Sequence, residues 1–189
     1  MTLLVIGITV PVLSDAGSVD EMADALNDQS ESFVSFFISF AVIGRYWFAH
    51  HQFYSAVKAF DAGLVAINLF YLAFIAFLPF PTALLGAYFD NPLSVVIYAT
   101  CVGIISGLEV VMYRHAHRGG LMRRSLPEDV YRWSASMALA PLVFFVISIP
   151  VAFLSTTVAV ILWFGAIPFD RVIERYKPKN ADRYLRGSR

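Results

Sequence analysis

The chain has a single cysteine, Cys101, in the middle of an apolar run. That excludes a disulfide framework, and no basic neighbour is there to activate a thiolate. Charge is scarce: Asp, Glu, Lys and Arg make up 15% of 189 residues, against about 25% in soluble domains. HExxH, GxSxG and P-loop motifs are missing, as are paired carboxylates inside the apolar runs. Enzyme chemistry therefore has no constellation to rest on, and none is expected. No repeat period marks a solenoid. The opening lacks the basic region and the small-x-small cleavage site of a secretory signal.

What is present is apolar and aromatic. Hydrophobic residues are 58% of the chain, with 17 Phe, 9 Tyr and 3 Trp, the balance of an integral membrane protein. The runs predict an all-α bundle of six transmembrane helices, at about 1–12, 33–54, 62–86, 93–113, 133–150 and 153–170. The first is incomplete. At about 1.5 Å per residue its twelve residues cover roughly 18 Å of a core about 30 Å thick. The last apolar stretch, Trp133 to Phe169, would reach roughly 55 Å as one helix, so it divides near Pro150–Ser155. Residues 1–174 form one transmembrane domain, and 175–189 a basic cytoplasmic tail.

The charges are asymmetric although they sum to zero. Leu13 to Ser32 holds six acids (Asp15, Asp20, Glu21, Asp24, Asp28 and Glu31) and no Lys or Arg. A short helix capped by Ser18 is predicted at Val19–Leu26. Arg45 and Lys58, the Arg114–Arg132 cluster, and Arg171 with the tail together account for all 14 basic residues. Six spans with a cytoplasmic amino terminus put every one on the same side, as the positive-inside rule asks. Four or five spans would split them. The tail faces anionic lipid headgroups in this reading, and no nucleic acid is expected.

Ionisable and amide residues inside the runs are the candidate polar network. Arg45 lies deeper than an interfacial residue should, at a cost of about 2.5–3.5 kcal/mol on insertion scales, and Glu109 is its visible partner. His50 and His51 point about 100° apart on a helix. They suit hydrogen bonding and aromatic packing beside Trp47 better than chelation of one metal. Asn68 stands alone in the third run and suits an interhelical hydrogen bond. With His115 and His117, the His pair could instead offer axial haem ligands, though their positions at helix ends suit that poorly. On the first helix Thr2, Ile6 and Thr9 share one stripe, and Leu3, Ile6 and Val10 the next. Helix packing and a pore wall with apolar constrictions both fit that mixture.

Three stretches together, "TLLVIGITVPVL", "FVSFFISFAVIGRYWFAHHQFYSAVKAFD" and "LVAINLFYLAFIAFLPFPTALLG", resemble the prokaryotic members of the transmembrane-protein-175 family, relatives of the endosomal and lysosomal potassium channel. The resemblance covers about Thr2 to Gly86 and continues as a hydropathy match. It implies a K⁺-preferring cation channel of the prokaryotic plasma membrane, assembled as a homotetramer without a TVGYG filter. The first helix of each subunit would line the central pore, with Thr2, Leu3, Ile6, Thr9 and Val10 on its wall. No cofactor is implied beyond permeant K⁺ and other monovalent cations. Arg45, Trp47, His50, His51, Asn68 and Glu109 would form the structural polar network. The family's Arg-x-x-x-Phe-Ser-Asp element is absent. It would precede Met1, so the expectation is an upstream half-helix or a truncated family member. A small transporter or proton-coupled carrier is the alternative function.

Overall fold

The computed structural model describes residues 10–15, 17–123 and 127–181. They form eight helices in the order α1 (Val19–Asp28), α2 (Ser30–Ser55), α3 (Ala62–Phe77), α4 (Pro79–Ala87), α5 (Pro92–Arg118), α6 (Glu128–Ala152), α7 (Thr156–Phe164) and α8 (Ala166–Arg175). Among the described residues the one β contact is an isolated bridge between Val57 and Met122. Among the described residues three segments are long and apolar enough to cross a membrane: Ala62–Ala87, Pro92–Arg118 and Glu128–Ala152. The fold is an all-α membrane bundle.

Local chemistry sets the ends. Ser18 accepts from the Glu21 backbone N–H at 3.2 Å, starting α1 at Val19. The Glu21 carboxylate turns back to accept from Ser14 Oγ at 2.6 Å and from the Ser14 and Asp15 backbone N–H groups. These bonds hold its carboxyl below the usual range, as hydrogen bonding to the charged form does. Asp61 caps α3 by accepting from Leu64 N–H at 2.7 Å. Asn91 caps α5, with Pro92 at its first position. The helix expected over 62–86 is two, α3 and α4, because Pro79 and Pro81 bring no N–H to the ladder. α5 runs five residues past the expected 113, through "RHAHR", and stops at Gly119; Gly120 follows with φ +63°. α6 begins at Glu128 rather than 133. Ser155 opens α7 by accepting from Val158 N–H at 3.3 Å. The helix expected over 153–170 is broken at Gly165 into α7 and α8.

α5 is the centre of the bundle and packs against α3, α4, α6 and α7. Val95, Ala99, Val102, Ile105, Met112 and Ala116 are all buried along it. Gly103 and Ser106 keep the approach of its neighbours close, as small residues do in membrane bundles. At the end that carries the basic residues, two linkers are tied together. Lys58 N–H donates to the Leu121 carbonyl and Arg123 N–H to that of Ala56, both at 2.8 Å. His115 Nε2 meets both carboxylate oxygens of Asp61, at 2.8 and 2.9 Å. The chain after α8 folds back on this end: Ala181 is buried and Lys177 lies over the Trp133 ring at 5.5 Å.

Candidate functional site

Of the five residues expected on the pore wall, Thr2, Leu3, Ile6 and Thr9 lie outside the described residues. Val10 is described: it is outside any helix and 89% exposed. The site that the structure describes is the polar layer inside the helices that follow.

Tyr46 is its hub. Its hydroxyl is 2.8 Å from Ser106 Oγ on α5, and its backbone carbonyl accepts from Tyr71 OH on α3 at 3.1 Å. One residue thus bonds α2 to two other helices. All three side chains are buried, so each hydroxyl needs a protein partner. Near it, Asn68 Oδ1 on α3 and His50 Nε2 on α2 are 2.7 Å apart. The carbonyl oxygen is the acceptor, which puts the imidazole proton on Nε2. The His50 ring stacks on Tyr71 at 5.1 Å, so the histidine is fixed by an amide on one edge and a phenol on one face.

The six predicted network residues divide into pairs. His50 and Asn68 meet directly. Glu109 is 9% exposed and the one charged residue among the buried side chains described; the Arg45 charge attracts it from α2. The Arg45 guanidinium also lies 5.7 Å from the Tyr46 ring centroid. Trp47 stacks on His51 at 5.4 Å, but both are exposed and stand apart from the His50–Asn68 bond. Sequence reasoning missed Tyr46, Tyr71 and Ser106, and also the Asp61–His115 contact. Tyr46 sits inside the quoted "GRYWFAHH" cluster, and its place beside Arg45 was the available signal. Asp61 carried no reading of its own, lying between two apolar runs.

This layer can join α2, α3 and α5 at matched depth. It offers no reacting pair, and among the described residues no three His, Cys, Asp or Glu side chains gather as metal ligands.

Comparison with known proteins places this bundle. Residues 1–79 match the model of the family described as endosomal/lysosomal potassium channel TMEM175. A potassium channel of Streptomyces collinus is 39% identical over 88 residues, 47% of this chain and 41% of its own. A potassium channel of Chamaesiphon minutus is 33% identical over 119 residues, 61% of this chain and 58% of its own. The endosomal/lysosomal proton channel TMEM175 of Bos taurus is 30% identical over 96 residues, 48% of this chain and 20% of its own. The matched part of the chain therefore spans about half the length of the two bacterial relatives. The crystal structure of a lysosomal potassium-selective channel TMEM175 homolog from Chamaesiphon minutus superposes with a TM-score of 0.69 at 23% identity, over 94% of this chain and 90% of that one. That likeness shows the fold. The family is one of ion channels and not of enzymes. Over its first 79 residues the chain is thus similar to the TMEM175 family, and its fold agrees with that of a family homolog.

Proposed function

We infer that the chain is one subunit of a potassium-preferring cation channel of a prokaryotic plasma membrane. Four copies enclose a central pore lined by their first helices, in closed cyclic symmetry. Conduction is passive. The observation that carries this reading is the family match over residues 1–79, which spans the predicted pore stripe and the His50–Asn68 layer. Bulky aliphatics, Leu3 and Ile6 above all, would narrow the pore and set the barrier to hydrated ions. The acidic segment at the far end from the basic linkers would raise the cation concentration at the mouth. The names of the vertebrate relatives favour H⁺ as a second permeant ion to test.

Reconstitution into liposomes with a K⁺ gradient tests the reading. A channel gives flux that follows the imposed voltage; a carrier saturates with K⁺ concentration. Ile6→Asn would hydrate an apolar ring, so conductance should rise and the preference for K⁺ over Na⁺ should fall. Saturating flux, or unchanged conductance in assembled Ile6→Asn protein, would count against the assignment. A native mass of one or two subunits would remove the tetramer.

A further inference from the structure

We propose that Glu109 is a proton-binding site inside the bundle: its carboxyl group holds a proton in the folded chain at neutral pH, and its ionisation loosens the layer that joins α2, α3 and α5. Glu109 is nine-tenths buried on α5, one turn past Ser106 and one turn before Tyr113. Tyr46 on α2, Tyr71 on α3 and Tyr113 are all within its electrostatic reach. Two of those phenols are committed elsewhere, Tyr46 OH to Ser106 Oγ at 2.8 Å and Tyr71 OH to the Tyr46 carbonyl at 3.1 Å. Among the described residues no hydrogen bond or ion pair reaches the carboxyl group; Arg45, exposed on α2, attracts it from further off. His50, the next titratable group along α2 after Tyr46, is held by Asn68 at 2.7 Å. The other packed helices bring no charge. α4 and α7 carry no titratable side chain, and those of α6 (Glu128, Asp129, Tyr131 and Arg132) all lie at its start.

A carboxylate in that place lacks both water and donors, and a group so placed neutralises instead. Ionisation would set a strong acceptor beside two phenols that now join helices. Tyr46 and Tyr71 would turn toward it, and the bonds to Ser106 and to the Tyr46 carbonyl would be given up. Loss of one proton thus costs the layer two interhelical bonds. The proton leaves toward the basic end, where water is nearer: along α5, Glu109 stands about 14 Å from Arg118 and about 26 Å from Pro92 at 1.5 Å per residue. The pH on the side of the basic linkers is therefore the variable that the site reads.

Infrared spectroscopy sees the proton directly. The full-length chain is purified in a maltoside detergent, which has no carbonyl group, with and without isotope-labelled glutamate. At pH 7 the carbonyl stretch of a protonated carboxyl group should be present, should shift with the label, and should be lost in Glu109→Gln and at alkaline pH. In Glu109→Asp protein the label should no longer shift it, which keeps the assignment testable if Glu109→Gln fails to fold. Melting gives the sign. The unfolded chain releases this proton above the ordinary carboxylate value of about 4 and the folded chain keeps it, so the unmodified protein loses stability relative to Glu109→Gln as pH rises. Glu109→Gln, which copies the neutral acid, should match the unmodified chain near pH 4.5 and melt about 4 °C higher at pH 8, the size that a tenfold change in the folding equilibrium has in a chain of this length. An ionised Glu109 paired with Arg45 gives the reverse, with Glu109→Gln melting lower at pH 8 and the gap closing in acid. That order, melting curves that run parallel at every pH, or a pH 7 spectrum without a Glu109-dependent carboxyl band would each overturn the proposal. K⁺ flux enters neither readout, so a chain that fails to conduct can still pass both.

Discussion

Tyr46 joins three helices through two atoms, its hydroxyl to Ser106 and its carbonyl to Tyr71. Tyr46→Phe removes the first bond and leaves the fully buried Ser106 hydroxyl facing a ring edge. Interhelical hydrogen bonds in membranes average about 0.6 kcal/mol and reach about 1.7, and an orphaned hydroxyl pushes toward the upper end. Tyr46→Phe should therefore cost about 1 kcal/mol in reversible unfolding from mixed micelles. Tyr46→Phe/Ser106→Ala should cost no more, because neither hydroxyl is then left alone; strict additivity would show that the two act independently. Asp61 gives a pH-dependent case. The Leu64 backbone N–H first, and then His115, hold its carboxyl below the usual carboxylate range. The folded state thus binds that proton less tightly than the unfolded state does. Its stabilising effect is full above the ordinary carboxylate pKa of about 4 and fades as pH falls through the lower, folded value. Asp61→Asn should melt earlier than the unmodified chain at pH 7, with the gap closing toward pH 3; a gap that does not change with pH would refute the assignment. Arg45, Asn68, His50 and Glu109 were legible because polar groups inside apolar runs are costly and must be explained. Tyr46, Tyr71 and Ser106 were not, because a tyrosine near a helix end reads as an interfacial anchor and a serine as a small packing residue. Only depth across three helices makes them partners.

At the scale of elements, the apolar runs gave the α2, α5 and α6 helices to within a few residues at most ends. They stayed silent where a run continues through a break. The division of α3 from α4 had a visible cause in Pro79 and Pro81. The division of α7 from α8 lies in unbroken apolar sequence, "WFGAIP", and its cause is a contact. A Cβ on Gly165 would stand 2.9 Å from Phe144 Cε1 and 3.0 Å from the Leu162 carbonyl oxygen. The elbow needs glycine because α6 presses a ring against it. Pro168, in the first turn of α8, was the one local signal, since its missing N–H is harmless there. Gly165→Ala should cost about 1–3 kcal/mol by overpacking. Phe144→Leu in the same chain should recover part of that and not all, because the ring can yield but the Leu162 carbonyl cannot. Full recovery would place the whole strain on the ring, and no loss at all would mean that the elbow is not fixed by this contact.

For the whole molecule, the sorting of charge is the property that sequence and structure reach by separate routes. The sequence route counts spans and finds all 14 basic residues on one side. The structural route needs no count. α2 and α5 run in the same direction, since Tyr46 pairs with Ser106 and, further along, Phe53 packs on Tyr113. Their ends carry Lys58 and Arg118, and the linkers that follow bond to each other. Asp90 lies just before the opposite end of α5, a helix of 27 residues and so about 40 Å long. Lys177 reaches Trp133 near the start of α6, which puts the tail with the linkers. Lys and Arg flanking spans stay on the cytoplasmic side during insertion, so Lys58, Arg118 and Lys179 should face the cytoplasm, and Asp24 and Asp90 the outside. The lone cysteine makes this simple to measure. In a Cys101→Ser background, a single cysteine at each of these five exposed positions is treated in intact cells with a membrane-impermeant maleimide. Asp24→Cys and Asp90→Cys should label at once, and the three basic-site variants only after the membrane is opened. Labelling of Lys58→Cys or Arg118→Cys in intact cells would place a basic linker outside. The orientation would then be wrong.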